Sequence, residues 1–332
     1  MRNNSYIVND TKLKEDYDLD ITIPKSEIEW ELPNINFETD IPNWDIMSDT
    51  EKMVCRAVED PFFFHYAILG YNGMDEVKNI AYPHQGEWLY ALAKHKRCGI
   101  FAPVSHGKSI CAATTYPIWS YLKNCNIRTA IISAREDLTK RTMRAIETHL
   151  VQNRRFIEIF NKRWGADPKP KRQKGITQTW SLQEKVCYRT KPIGVSDATF
   201  AGFSFSDKVF GMRFDLEIFD DIIQPLTYAT KNPRICEDII LKLEEDWFTR
   251  FTWGKLSQHE VKVIGTFEDV IDIYHYMIEH YYDTWQMYRY RAISKKGIKH
   301  RIDITSFMKN LNERKKEGGY FEEFDVTTDD GI

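Results

Sequence analysis

The stretch Phe101-Ala102-Pro103-Val104-Ser105-His106-Gly107-Lys108-Ser109 constrains this chain more than any other. Before it, Cys98 to Phe101 reads as a short buried strand. After it, Ile110 to Leu122 reads as a helix rich in Ala, Thr and aromatic residues. Strand, tight loop, Gly-Lys-Ser and helix is the setting in which a phosphate-binding loop works. Backbone N–H groups of the loop and the helix N-terminus face anionic oxygens, and the helix dipole favours negative charge there. On this reading Ser105, His106, Gly107, Lys108, Ser109 and Ile110 line the phosphates. Lys108 reaches the β- and γ-phosphates, and the Ser109 hydroxyl holds Mg²⁺. Ala102 stands where the usual G-x4-G-K-S pattern has its first glycine. A bare Gly-Lys-Ser is also an ordinary helix start, so the rest of the chain must decide.

Composition narrows the class. With 332 residues, 42% hydrophobic and 14% aromatic, the chain can bury one large core or two ordinary ones. No apolar run approaches the ~20 residues of a membrane span. The polar start, Met1-Arg2-Asn3-Asn4, gives no expectation of a secretory leader. Cys55, Cys98, Cys111, Cys125, Cys187 and Cys236 are scattered without a Cys-x-x-Cys pair, as expected of reduced thiols rather than a disulfide framework or zinc site. A net charge of −3 does not announce nucleic-acid binding, which would need a local patch.

Residues 1–47 form an expected acidic arm, extended or partly disordered. From Asp10 to Asp49 there are twelve acidic and three basic side chains, with Pro24, Pro33 and Pro42 between them. Residues 48–295 are the expected main domain, led in by a helical segment. Ser48-Asp49-Thr50-Glu51 is a helix start, and Asp60-Pro61 restarts a segment from Phe62 to Leu69 that is apolar nearly all round. Tyr82-Pro83-His84-Gln85 precedes a helix over Trp88–Lys96. The Gln85 amide, both donor and acceptor, is suited to an adenine edge, although Pro-His-Gln is also a plain helix start. Thr129–Ser133 reads as a buried strand and Ala134–Val151 as a helix carrying Arg135, Arg141 and Arg144. Lys162 to Lys174 holds six basic residues and one acid and reads as an irregular surface loop, suited to phosphate backbones or simply to solubility. Short strands are expected at Thr177–Trp180 and Val186–Tyr188, and a turn-rich connection over Ser196–Gly202. Phe214-Asp215-Leu216-Glu217-Ile218-Phe219 is a strand closing on Asp220 and Asp221. Carboxylates at a strand end beside a phosphate loop are placed to manage Mg²⁺, by Asp220, and an attacking water, by Asp221. Further elements are a helix over Glu237–Trp253, a strand over Glu260–Ile264 closed by Gly265-Thr266, a helix over Glu268–Tyr281 and a final strand over Trp285–Ile293. Residues 296–332 read as a C-terminal linker, helical and then acidic.

The order of Pro83-His84-Gln85, the deviant loop ending in Gly107-Lys108-Ser109, Arg213 to Asp221 and Ile264-Gly265-Thr266-Phe267-Glu268-Asp269 resembles the ATPase domain of the large terminase subunit of tailed bacteriophages. The resemblance covers roughly residues 80–293 and rests on the order and spacing of four motifs. It implies an α/β P-loop NTPase core of the ASCE/RecA-like kind, with a mainly parallel sheet flanked by helices, that hydrolyses ATP with Mg²⁺ and drives double-stranded DNA into a procapsid. It further implies that Gln85 contacts adenine and that Lys108 and Ser109 serve phosphates and metal. Asp220 would be the metal-side acid, Asp221 the catalytic one, and Gly265 and Thr266 a coupling motif. The implied partners are DNA, a capsid portal protein and a small terminase subunit. The implied assembly is a ring, a pentamer, in the cytoplasm of an infected bacterial host, with no membrane. Many relatives carry an arginine inside the phosphate loop. Val104 and His106 stand there, so a charge-stabilising arginine is expected from a neighbouring subunit, with Arg135 first and Arg141 and Arg144 behind it. Relatives also carry a nuclease domain of the ribonuclease-H type, for which the roughly forty residues after the last expected strand are too few. Either the chain is the ATPase part of a longer protein or it belongs to a motor without a working nuclease.

Three classes of activity compete: a DNA-translocating ATPase; another P-loop enzyme, such as a helicase or a small-molecule kinase; and a binding or scaffold protein whose loop no longer turns over ATP. The set Lys108, Ser109, Asp220 and Asp221 argues against the last. The basic stretch generates a direct test of the first. Each phosphate neutralised adds about 0.9 to the slope of log affinity against log salt, so Lys169, Lys171 and Arg172 all replaced by Ala should flatten that slope by up to about 2.7 in a salt titration of DNA binding.

Overall fold

A computed structural model describes residues 41–71, 82–170, 179–190, 198–207, 211–222, 233–248, 259–266, 273–290 and 301–306, together with residues 36, 38, 209 and 309. Most of the acidic arm, residues 171–174 of the basic stretch, the first half of the strand expected at Thr177–Trp180, Glu268 and Asp269 at the start of an expected helix, and the acidic C-terminus lie outside the described residues.

Among the described residues, eight strands form one sheet in the order β3-β4-β2-β5-β6-β1-β7-β8. They are β1 (Arg97–Phe101), β2 (Thr129–Ser133), β3 (Glu184–Lys185), β4 (Phe200–Ser204), β5 (Leu216–Asp220), β6 (Glu260–Gly265), β7 (Gln286–Tyr290) and β8 (Arg301–Asp303). The inner six run parallel, and only the edge strands β3 and β8 are antiparallel. Parallel inner strands are buried on both faces, and every residue of β2 and β5 is buried, Thr129, Ser133, Glu217 and Asp220 included. Successive side chains still go to opposite sides. Ile131, Ile218 and Ile264 join one core cluster, and Ile132, Phe219 and Val263 join the other.

The first cluster is covered by helices from the first half of the chain. They are α1 (Asp49–Glu59), α2 (Pro61–Phe63, continued by a π-helical turn over Phe64–Ile68) and α3 (Pro83–Lys94). After the loop come a π-helical segment (Ile110–Thr115) leading into α4 (Tyr116–Lys123), then α5 (Glu136–Gln152) and α6 (Arg154–Trp164). The second cluster is covered by α7 (Pro233–Lys242), its π-helical continuation Leu243–Trp247, and α8 (Ile273–Tyr281). Local chemistry sets the starts. Ser48 and Glu51 form a reciprocal capping box. Asp60 Oδ1 accepts from the N–H groups of Phe62 and Phe63, at 2.9 Å each, and from the Tyr90 hydroxyl at 2.6 Å, which ties α2 to α3. Pro117 lacks an N–H, and it stands in the first turn of α4, directly after the π-helical segment.

Several expectations change. The Pro83-His84-Gln85 tripeptide lies inside α3, as its first turn, because proline suits a helix start. Arg135 is not helical; it is the extended N-cap residue of α5, which begins at Glu136. Lys162 to Trp164 are the last turn of α6, so the basic stretch begins on a helix that Gly165 ends. The strand expected at Val186–Tyr188 is instead Glu184–Lys185, bridged from Trp180. The connection expected over Ser196–Gly202 is partly a strand: Phe200–Ser204 is β4, hydrogen-bonded beside β2. Its small residues are there for packing, since a Cβ on Gly202 would lie 2.6 Å from the Thr139 methyl and 2.9 Å from Met143 Cγ of α5. The sheet also continues past residue 295, where β8 pairs with β7 inside the expected linker.

Thr139 cannot swing aside cheaply, because its hydroxyl donates to the Phe203 carbonyl at 2.9 Å. Gly202→Ala should therefore destabilise the fold by about 1–3 kcal/mol, the usual cost of overpacking, read as a lowered urea midpoint at unchanged slope.

Candidate active site

Three neighbouring strands, β1, β6 and β5, run parallel and end at the same sheet edge. Whatever follows each strand is thereby brought together: the Gly107-Lys108-Ser109 loop after β1, Thr266 after β6, and Asp220-Asp221 at the end of β5. The pairing is prolonged past the strands. Ala102 N–H donates to the Gly265 carbonyl at 3.1 Å, and Asp221 N–H donates to the Ile264 carbonyl at 2.9 Å.

The loop turns through two left-handed residues, Ser105 (φ 63°) and Gly107 (φ 82°), before the helix begins at Lys108. A positive φ is costly for most side chains and cheap for glycine. The loop is braced from α3. The His84 ring Nε2–H donates to the His106 carbonyl at 3.2 Å, and the Gln85 amide lies against Gly107 so closely that a Cβ there would be 2.6 Å from Gln85 Nε2. Within the loop, His106 Nδ1–H donates to the Val104 carbonyl at 2.8 Å. Val104 itself is 64% exposed, and the side chain of Ile110, first residue of the π-helical segment, is half-buried.

Lys108 is buried, and its ammonium donates to the carbonyls of Ala102 (2.8 Å) and Pro103 (3.0 Å) and to Thr266 Oγ1 (2.7 Å). Thr266 faces both ways: its hydroxyl accepts from Lys108 while its backbone N–H donates to the Asp221 carboxylate. Ser109 Oγ donates to Asp220 Oδ1 at 2.9 Å. Burial pushes Asp220 up to about 7; the neighbouring Asp221 carboxylate adds to the rise, and Ser109 and Lys108 oppose it. Burial also raises Asp221 above the ordinary carboxylate value, against the lowering influence of Lys108 and the Thr266 N–H. Asp221 holds a left-handed backbone (φ 46°), a conformation Asp tolerates better than most residues, and its carbonyl accepts from Ala134 N–H at 3.3 Å.

Gly265 fits because the Tyr274 ring of α8 fills the space a side chain would need; a Cβ would sit 2.1 Å from Tyr274 Cζ. Arg135 follows Ala134 directly, is exposed, and pairs with Asp137 at 3.0 Å. Of the residues singled out from sequence, Gln85, Gly107, Lys108, Ser109, Asp220, Asp221, Gly265 and Thr266 thus share one sheet edge, with Ser105, His106 and Ile110 on the same loop. Arg135 stands one residue beyond. Sequence reading missed His84 and also His65, whose Nε2 meets Gln85 Oε1 at 3.2 Å. A lone histidine in the apolar run Phe62–Leu69 gives no local signal of a site.

The donor set bears on a metal. A hydroxyl and a carboxylate 2.9 Å apart are hard oxygen ligands of the sort Mg²⁺ takes when phosphate and water complete its shell. Among the described residues, no cluster of three or more His, Cys, Asp or Glu side chains could hold a metal ion by itself. Also among the described residues, no helix is long and apolar enough to cross a membrane.

No family model and no curated protein matches the sequence. Among solved structures, the chain is similar to the crystal structure of the HK97 bacteriophage large terminase, at 13% identity and a TM-score of 0.40. The match covers 68% of this chain and 40% of that one.

The raised Asp220 carries a pH signature whose sign is fixed. Between its ordinary value, 3.8, and about 7, the folded state holds a proton that the unfolded state has released, so stability falls as pH rises through that window. Asp220→Asn stays neutral throughout and keeps an acceptor for Ser109. In pH-dependent urea denaturation without Mg²⁺, the variant should match wild type near pH 4 and exceed it near pH 8 by a few kcal/mol, with about 4 as the upper bound from a three-unit shift.

Proposed function

We propose that the chain is an ATP-hydrolysing motor domain of the P-loop, ASCE/RecA-like kind that moves double-stranded DNA, as a terminase large subunit does in packaging. The observation that carries the ATPase reading is the convergence of Lys108, Ser109, Asp220, Asp221 and Thr266 on one sheet edge, with Ser109 hydrogen-bonded to Asp220 and Thr266 touching both Lys108 and Asp221. A scaffold that had lost turnover would have no need to keep an ammonium, a metal-suited oxygen pair and a second carboxylate together. The DNA-packaging part rests on the order and spacing of the four motifs, and on a basic stretch around Lys162–Lys174.

In this reading the Lys108 ammonium exchanges carbonyl partners for the β- and γ-phosphates, and the two left-handed turns let loop N–H groups face the same anion. Ser109 and Asp220 would hold Mg²⁺, which would supply positive charge to the phosphate oxygens. Asp220 would then stand ionised as a ligand. Asp221 orients and polarises the attacking water. Its carboxylate is less acidic than one in water, as suits a group that must take up a proton. Thr266 feels both the phosphate-side cation and the water-side carboxylate, so its position reports whether the γ-phosphate is attached. A positive charge on the γ-oxygens is supplied across a ring interface, with Arg135 the first choice because it is exposed at the N-cap of α5 beside the Asp221 backbone contact.

Steady-state hydrolysis, with and without double-stranded DNA, tests the whole reading. Lys108→Ala should abolish turnover. Asp221→Asn should bind nucleotide and slow hydrolysis by on the order of 10²-fold or more, the usual contribution of a positioned base. DNA should stimulate the wild type. Hydrolysis indifferent to DNA would favour the small-molecule kinase, and near wild-type turnover by Lys108→Ala would remove the phosphate-loop assignment.

A further inference from the structure

His65 is fully buried on α2's π-helical turn, and both ring nitrogens are engaged. Nδ1 meets Thr115 Oγ1 at 2.7 Å and Nε2 meets Gln85 Oε1 at 3.2 Å. A carbonyl oxygen can only accept, so Nε2 carries the proton and Nδ1 accepts from the Thr115 hydroxyl. Burial keeps the ring neutral, with its pKa lowered to about 3. The ring cannot easily turn: Tyr71 stacks on it at 5.2 Å and is held in turn by His149, 2.8 Å from the Tyr71 hydroxyl. With Gln85 Oε1 drawn towards His65, the Gln85 Nε2 end is the one left against Gly107. Thr115 closes the π-helical segment that starts directly after Ser109. Two π-helical segments thus meet at this histidine, and such segments gather at functional sites.

We infer that His65 is a positioning residue that latches the phosphate loop, fixing through the Gln85 amide where Gly107 sits relative to the helix that follows it. Gln85 then acts on the loop rather than on the base. An amide that reads adenine must offer its carbonyl and its N–H₂ together to one edge, whereas here the carbonyl end is turned to His65 and the nitrogen end to the loop. That the loop takes phosphate rests on the function proposed above; the latch does not.

Two conservative variants and their combination test it. His65→Phe keeps a ring against Tyr71 and deletes both hydrogen bonds. Gln85→Met keeps bulk on the less buried side. In the nucleotide-free chain, amide hydrogen exchange across Val104–Gly107 should quicken about tenfold in either variant, the scale of one lost hydrogen bond, with no further gain in the double variant and no change in Ile131–Ser133. With nucleotide, each variant should raise KM for ATP and for GTP by the same factor, leaving the preference between them intact. Unchanged loop exchange in Gln85→Met overturns the latch. So does loss of the ATP-over-GTP preference in Gln85→Met while His65→Phe behaves as wild type, which would make Gln85 a base reader. If His65→Phe does not fold, Gln85→Met and Thr115→Val decide by the same exchange measurement. A wild-type chain that neither binds nor hydrolyses ATP or GTP would remove the proposed function, and the exchange arm would still decide the latch.

Discussion

An ammonium and two carboxylates share a largely buried site at the end of the sheet, and the local structure is arranged around keeping them there. Lys108 alone would be a costly buried charge; three oxygens, two of them backbone, make it tolerable. Those oxygens come from β1's end and from Thr266 after β6, so the ammonium fastens two strand ends together. The acids are less well served. Asp220 is buried with a like charge beside it, and the Ser109 hydroxyl and Lys108 only partly offset this, which is why it holds its proton towards neutral pH. In the function proposed above, a divalent ion would let both acids ionise and would complement them.

What could be read from the sequence was what is local. The strand–loop–helix around Lys108 and the strand closing on Asp220 are contiguous, and each carries its own pattern of apolar run and punctuation. The gathering of Gly265-Thr266 with them depended on strand order, which sequence spacing alone does not give. β4 escaped because Phe200-Ala201-Gly202-Phe203-Ser204 has the small residues of a turn. Their smallness answers instead to α5, whose Thr139 and Met143 lie against Gly202. β8 escaped because an edge strand of three residues has no core of its own to announce it.

The histidines were illegible for a different reason. His84 and His65 act through the backbone and through an amide, not through any spacing a motif could encode. His65 comes 20 residues before Gln85 and 50 before Thr115. Its partners are fixed by how α2, α3 and the segment after the loop pack together around apolar side chains. Polar residues surrounded by phenylalanines read as core from sequence, and here core and site are the same place.

The position of β6 has a mechanical consequence. It is hydrogen-bonded along its length to β1 on one side and β5 on the other, and the contacts just past the ends of those neighbours, Ala102 to Gly265 and Asp221 to Ile264, continue that ladder towards the site. Sliding β6 against either neighbour would break a row of bonds at once, so the three strands resist shear as a single plate. Any chemical event in the pocket therefore meets a stiff wall on the sheet side. Displacement has to go where the ladder is absent: into the loop, the π-helical segments and the helices they lead. A chain built this way bends around its sheet, not through it.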